Sequence, residues 1–188
     1  LVISKVLEEC KESLLVYQGK TSMMGFTEKL KTVISEFRQY NIGQEQLDSI
    51  CESVDDYPVL KIKFQDLSII NDGFNRYIKD KAITSEDLLT LLCGYINKSD
   101  YIKNTYFYFD SFTGFTPVQY KVLEQIMKYC PGMEMTITLP VSQVGFKGYS
   151  PYELFYLSKE TVVKLREIAI KNSVDILKDK VIDFDKDI

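Results

Sequence analysis

Histidine is missing altogether from these 188 residues, which removes the commonest general base near neutral pH and the commonest zinc ligand. Acid–base or metal chemistry is left to carboxylates. The four cysteines, Cys10, Cys51, Cys93 and Cys130, include no CxxC pair. They stand at long intervals in or beside helix-like apolar stretches, which favours buried free thiols in a reducing cytoplasm over disulfides or a metal site. An excess of positive charge is also lacking. Lys and Arg total 23 against 27 Asp and Glu, a net charge of −4, and the pI is near 5.0. The chain as a whole therefore carries no electrostatic footprint of a nucleic-acid binder, and any DNA contact must be local or shared with other protein. No apolar run approaches the roughly 18 to 20 residues of a spanning helix, and no basic-then-apolar leader precedes a small-residue cleavage site. The expectation is a cytoplasmic chain without a membrane partner. Neither an internal repeat nor a low-complexity tract is found. No phosphate loop of the form GxxxxGKS/T occurs. Gly19-Lys20-Thr21 keeps its last three letters without the upstream glycine or a preceding strand, and reads as a surface loop. Gly145-Phe146-Lys147-Gly148 reads as a flexible connector.

Apolar residues make up 45% of the chain, enough for a packed core. Leu1 opens inside a helical pattern (Val2, Ile3, Val6, Leu7), which suggests a cut through a longer polypeptide. A stripe at Phe26, Leu30, Val33, Ile34 and Phe37 predicts a helix ended by Asn41 and Gly43, and Leu47, Ile50, Cys51 and Val54 a shorter one. After the turn at Asp55 to Pro58, Leu60, Phe64, Leu67, Ile70, Phe74, Tyr77 and Ile78 sustain a long helical pattern that Gly73 threatens to interrupt. Thr84-Ser85-Glu86-Asp87 opens the next helix with a capping residue and early acids. Residues 1–98 thus form a helical subdomain.

From residue 99 the character changes. Tyr106 to Phe109 (YFYF) and Met135 to Leu139 (MTITL) are strand-like, with a helix from Pro117 to about Tyr129 between them. Strand, helix, strand at this spacing predicts a βαβ unit with parallel strands in a covered sheet. Ser150, as cap, with Pro151 in the first turn and Glu153 three residues on, predicts another helix start. A further strand is expected at Val174 to Leu177, and the acidic end Asp183 to Ile188 is expected to fray. Residues 99–188 are a partial α/β segment, and the chain as a whole is α/β and helix-rich.

The informative stretch is Tyr106 to Gln119 (YFYFDSFTGFTPVQ). In nucleotide-driven motors a hydrophobic strand delivers an Asp that holds magnesium at the phosphates, and a neighbouring Glu positions the attacking water. Asp110 ends the strand in the right place, but Ser111 stands where the Glu would be, and a serine is no carboxylate base. Asp110 reads equally well as a polar residue turning the chain. Thr116, Pro117 and Gln119 form a capping box, which suits Gln119 better than a nucleotide contact. Phe112 and Phe115 flank Gly114 in the loop. They are candidates for stacking on unpaired bases or, for Phe115 in particular, for anchoring the loop to the core. No catalytic residue and no metal ligand set is assigned.

Several blocks in order resemble the AddB family, the B subunits of bacterial ATP-dependent helicase-nucleases. They are FTE and EFRQY within Phe26 to Tyr40, DLSI at Asp66 to Ile69, SEDLLTLL at Ser85 to Leu92, the strand-Asp-Ser-Phe-x-x-Phe-Thr-Pro-x-Gln run at Phe107 to Gln119, and ELF at Glu153 to Phe155. The resemblance implies an internal slice of a helicase-like region whose motor is vestigial. Residues 1–98 would correspond to a superfamily 1 insertion (1B-like) subdomain, and 99–188 to part of a P-loop-helicase-like core with a short parallel sheet. It implies that Asp110 falls at a degenerate magnesium position, that Ser111, often Gly in the family, is no catalyst, and that Phe112 faces DNA. It implies no cofactor here, the iron-sulfur cluster and magnesium of such proteins belonging to a nuclease region outside this chain. It implies as partners an AddA-type helicase-nuclease subunit and DNA with a single-stranded tail, in double-strand break resection and scanning for a Chi-like sequence. A free-standing helical interaction module is the competing reading, and a working nucleotide hydrolase would rest on Asp110 alone.

Overall fold

The structure is a computed structural model that describes residues 2–79, 81 and 84–182. The expected frayed end at Asp183 to Ile188, the chain start at Leu1 and the early acid Glu86 of the Thr84 helix lie outside the described residues or side chains. The chain divides into two compact units, Leu1–Leu88 and Leu89–Ile188.

The first unit is helical: α1 (Val2–Cys10), α2 (Met24–Gln39), α3 (Gln44–Ser53) and α4 (Pro58–Ile78). On α1 the apolar residues Ile3, Val6, Leu7 and Cys10 recur at helical spacing and all are buried. With Leu14, Leu30, Ile34, Phe37, Leu47 and Ile70 they make one continuous core. Helix α2 stops where Asn41 turns left-handed (φ 57°). The Gln46 carboxamide then accepts the Gly43 N–H (3.0 Å) at the start of α3. Pro58 occupies the first turn of α4, where its missing N–H costs nothing.

Gly73 does not interrupt α4, which runs unbroken to Ile78. Its role is close packing: a Cβ there would lie 2.7 Å from Cys10 Sγ and 3.1 Å from Val6 Cγ1. The glycine lets α1 and α4 meet at a distance any side chain would prevent.

Asp66 is the least expected residue of this unit. It is fully buried on α4, and its carboxylate accepts the backbone N–H groups of Leu15 (2.9 Å), Val16 (2.8 Å) and Tyr17 (2.9 Å). Three donors spread over two oxygens replace the water the carboxylate loses on burial, and they hold the loop between α1 and α2 in one conformation.

Helix α5 (Ser85–Tyr95) spans the division between the units. Thr84 and Asp87 cap it reciprocally: Asp87 N–H donates to Thr84 Oγ1 and Thr84 N–H to Asp87 Oδ2, each at 3.2 Å. Arg38 joins this cap to the helices before it. It donates to Thr84 Oγ1 (3.2 Å) and Asn75 Oδ1 (2.8 Å) and pairs with Asp87. Burial works against ionisation of Asp87, but the Thr84 hydrogen bonds and then the Arg38 guanidinium hold its carboxyl below the ordinary value.

The second unit holds the 3-10 turn Ile96–Lys98, α6 (Asp100–Lys103), β1 (Tyr106–Phe109), α7 (Pro117–Tyr129), β2 (Gly132–Met135) and α8 (Tyr156–Lys171). Helix α7 packs on the turn, α6 and α8, and buries Val118, Leu123, Ile126 and Met127. Glu124 of α7 accepts from Asn172 (3.0 Å) and Lys171 (3.3 Å) at the end of α8. Strands β1 and β2 pair in parallel, Tyr106 opposite Gly132 through Phe109 opposite Met135, which is the expected βαβ unit.

Four expectations need correction. Strand β2 is Gly132–Met135 rather than Met135 to Leu139. Pairing can last only as long as β1 does; its final bond runs from Thr136 N–H to Phe109 O (2.9 Å), beyond which residues 137–139 have no partner among the described residues. The sheet is not covered, because Tyr106 and Tyr108 alternate outward into solvent. No strand forms at Val174 to Leu177, since no sheet edge pairs with that segment. Helix α8 begins at Tyr156, not at Ser150. The Ser150 N–H does donate to Glu153 Oε1 (3.1 Å), but it closes only a turn. The other Glu153 oxygen pairs with the buried ammonium of Lys159, which holds its carboxyl below the ordinary value. All four cysteines are free thiols, Cys10 buried and Cys51, Cys93 and Cys130 half-buried.

No helix among the described residues is long and apolar enough to cross a membrane.

Candidate functional site

The segment after β1 leaves the sheet at Asp110, turns at Ser111 in the left-handed region (φ 64°) and runs into the capped start of α7. A left-handed backbone costs a non-glycine residue about 1 kcal/mol, so Ser111 carries a small local strain. At the end of the loop the Thr116 N–H donates to Gln119 Oε1 (2.8 Å) and the Gln119 N–H to Thr116 Oγ1 (3.4 Å), with Pro117 in the first turn. Gln119 is thereby committed to the cap.

Asp110 is exposed, yet its carboxylate is occupied. Oδ1 accepts from the Thr136 hydroxyl, and Oδ2 from the Ser111 hydroxyl at 3.3 Å. The Thr136 bond foremost, assisted by Ser111 and opposed by desolvation, holds the carboxyl below the ordinary value. Thr136 carries no signal of its own in the sequence. The register places it: Met135 pairs with Phe109, so the next residue of each strand stands side by side. The residues present do not make a working magnesium centre. Both oxygens of Asp110 accept hydroxyls, Ser111 supplies no second carboxylate, and no cluster of three or more His, Cys, Asp or Glu side chains fit to hold a metal occurs among the described residues.

Phe112 belongs to a ladder of rings. Phe109 meets it edge-on (6.1 Å between centroids), Phe115 stacks on it (5.0 Å, 23°), and Phe115 meets Tyr120 of α7 edge-on (5.6 Å). The Tyr120 hydroxyl lies 3.2 Å from Thr161 Oγ1, and that buried hydroxyl donates to the Thr113 carbonyl (3.1 Å). The loop is therefore tied to α7 and α8 at two points. Phe112 still leaves 41% of its surface in solvent, so it both anchors the loop and presents part of a ring. Gly19 and Lys20 lie in the 3-10 turn Gln18–Lys20, and Thr21 follows it, buried.

These features define a helix-rich α/β protein in which a short parallel strand delivers a lone carboxylate and an aromatic loop to a capped helix. The family described as ADDB, N-terminal, matches residues 1–186, and the chain belongs to it. Among curated relatives, the B subunit of the ATP-dependent helicase/deoxyribonuclease of Lachnoclostridium phytofermentans is 35% identical over 94% of this chain and 15% of its own length. The protein of the same name from Thermoanaerobacter sp. is 36% identical over 93% of the chain and 15% of its length. That of Clostridioides difficile is 32% identical over 94% and 15%. The chain thus spans about 15% of the length of these relatives.

Proposed function

We propose that this chain serves as a non-catalytic, helicase-like segment of a B subunit that works with an AddA-type partner on DNA with a single-stranded tail. Its setting is double-strand break resection for recombinational repair in the cytoplasm, where it helps scan the single strand for a Chi-like sequence. Residues 1–98 act as the insertion-like part and residues 99–188 as the core-like part. The iron-sulfur cluster and magnesium chemistry reside in other regions of the longer polypeptide. The observation that carries the reading is the Asp110–Ser111–Phe112 block: a strand-end carboxylate bound to two hydroxyls, serine where a water-positioning carboxylate belongs, and an aromatic ring half in solvent. Such a block can hold the loop and offer a ring to a base, but it has nothing with which to activate water.

Fluorescence anisotropy with labelled oligo-dT tests this. Binding is expected to be weak and salt-sensitive, and Phe112→Ala should weaken it by about fivefold or more, the low end of base–aromatic stacking. Tight, salt-independent binding that Phe112→Ala leaves untouched refutes the DNA-facing assignment. Magnesium-dependent ATP turnover by the purified chain refutes the non-catalytic one.

A further inference from the structure

We propose that Lys164 of α8 is a phosphate contact for a single strand of DNA lying along the aromatic loop, and that Glu160 beside it weakens that contact. The proposal rests on the DNA-facing reading of the loop and adds to it the residue that holds the backbone of the same strand.

Helical spacing puts Leu157, Thr161 and Lys164 on one face of α8, and that face lies along the loop. A Cβ on Gly114 would meet Leu157 Cβ at 3.9 Å and Thr161 Oγ1 at 3.8 Å, and Thr161 donates to the Thr113 carbonyl (3.1 Å). One turn further on, the Lys164 ammonium sits over the Tyr120 ring, 5.3 Å from its centroid. Tyr120 is the last ring of the ladder. Steps of 5.0 Å from Phe112 to Phe115 and 5.6 Å from Phe115 to Tyr120 leave the Phe112 ring and the ammonium no more than about 16 Å apart. A few nucleotides of single strand cover that distance.

Ring and ammonium are both within reach of solvent: Phe112 is 41% and the Lys164 side chain 44% exposed. An ammonium has three N–H donors, of which Glu160 engages one at 3.1 Å. Burial works against the charge of Lys164, but the Glu160 hydrogen bond and carboxylate hold it above its ordinary value, so it stays charged at neutral pH. Its neighbours on α8 are engaged elsewhere. The Lys159 ammonium is buried against Glu153, and Lys171 meets Glu124 at the far end of the helix. Charge also gives the ladder a direction. The exposed Asp110 carboxylate follows Phe109 at one end and repels phosphate, whereas Lys164 attracts it at the other. Rings for stacking beside a cation for the backbone are the combination that holds single strands without sequence preference. Glu160, which also accepts the Tyr156 hydroxyl (3.1 Å), competes with an arriving phosphate for the ammonium and repels it.

Anisotropy titrations with labelled oligo-dT, repeated from about 50 to 200 mM salt, test the proposal. Losing one phosphate contact on a single strand flattens the plot of log affinity against log salt by about 0.7. Lys164→Gln should therefore weaken binding about eightfold near the lower salt and about threefold near the higher. Lys164→Arg should keep the unaltered slope, and Glu160→Gln should tighten binding about twofold or more at low salt. Lys11→Gln, an exposed position in the first unit, controls for net charge and should leave the slope as it is. An unchanged slope in Lys164→Gln overturns the proposal. So does a flattened slope in Lys164→Arg, an equal flattening in Lys11→Gln, or unaltered or weaker binding in Glu160→Gln. Lys164→Gln should cost only about 1–2 °C in Tm, as loss of an exposed i,i+4 pair does; if it costs more, Lys164→Arg and Glu160→Gln decide. Phe112→Ala acts differently, lowering affinity equally at every salt concentration with the slope retained. If Phe112→Ala has no effect while Lys164→Gln flattens the slope, the stacking assignment fails and the phosphate contact holds. The reverse pattern overturns this proposal alone, and oligo-dT that does not bind overturns both.

Discussion

Replacing Asp66 with alanine should be the most damaging single change to the first unit. The carboxylate is wholly buried and accepts three backbone N–H groups at 2.8 to 2.9 Å. A hydrogen bond to a charged group contributes about 1.5–3 kcal/mol, and three at the low end of that range amount to about 4–5 kcal/mol. Leu15 is exposed, so water can reach part of the vacated site and satisfy some of the stranded donors. A net loss of about 3–4 kcal/mol is expected. Asp66→Asn should recover little of it, because the amide has one acceptor oxygen where the carboxylate has two, and its NH2 group would face a backbone donor. Urea unfolding followed by circular dichroism measures the loss. Amide exchange locates it, since protection at Leu15, Val16 and Tyr17 should collapse first. A loss below about 1 kcal/mol, with those three amides still protected, would refute the argument, because it would mean that the carboxylate is not their partner.

Two further outcomes follow from the packing and the α5 cap. Gly73→Ala should destabilise by about 1–2 kcal/mol despite alanine's better helix propensity, because the new methyl meets Cys10 Sγ. Combining it with Cys10→Ala should return most of that loss in a double-mutant cycle, whereas a stabilising Gly73→Ala would show that α1 and α4 are not in close contact. Asp87 titrates below its ordinary value when folded, so its contribution is present above the unfolded value, about pH 4, and fades as pH falls through the lower folded value. Asp87→Asn should therefore lower the urea midpoint clearly at pH 7 and less at pH 3, and a pH-independent difference would refute the linkage.

The Asp110 carboxylate is satisfied within its own chain, by the Thr136 and Ser111 hydroxyls. The loop that follows keeps its shape through ring contacts and the Thr116 cap.

Local chemistry made much of this protein legible from residue order. Helical periodicity, the Pro117 start with its Thr116–Gln119 cap, the Asp55 to Pro58 turn and the βαβ spacing all depend on residues within a few positions of one another. Helix α7 accordingly occurs where the periodicity predicts it, and the family was legible from blocks in order along the chain. What escaped depends on partners distant in sequence. Strand β2 ends where β1 runs out, and the Val174 to Leu177 segment has strand-like residues but no edge to join. Gly73 looks like a helix breaker until Cys10 and Val6 are seen against it, and Ser150 closes a turn rather than opening α8. Asp66 is the clearest case: within the DLSI block nothing local marks its role, and only the approach of the 15–17 backbone, about fifty positions away in the chain, makes it a buried anchor. Local propensity is written in neighbouring residues; register, burial and hydrogen-bond satisfaction arise only when the chain has closed on itself.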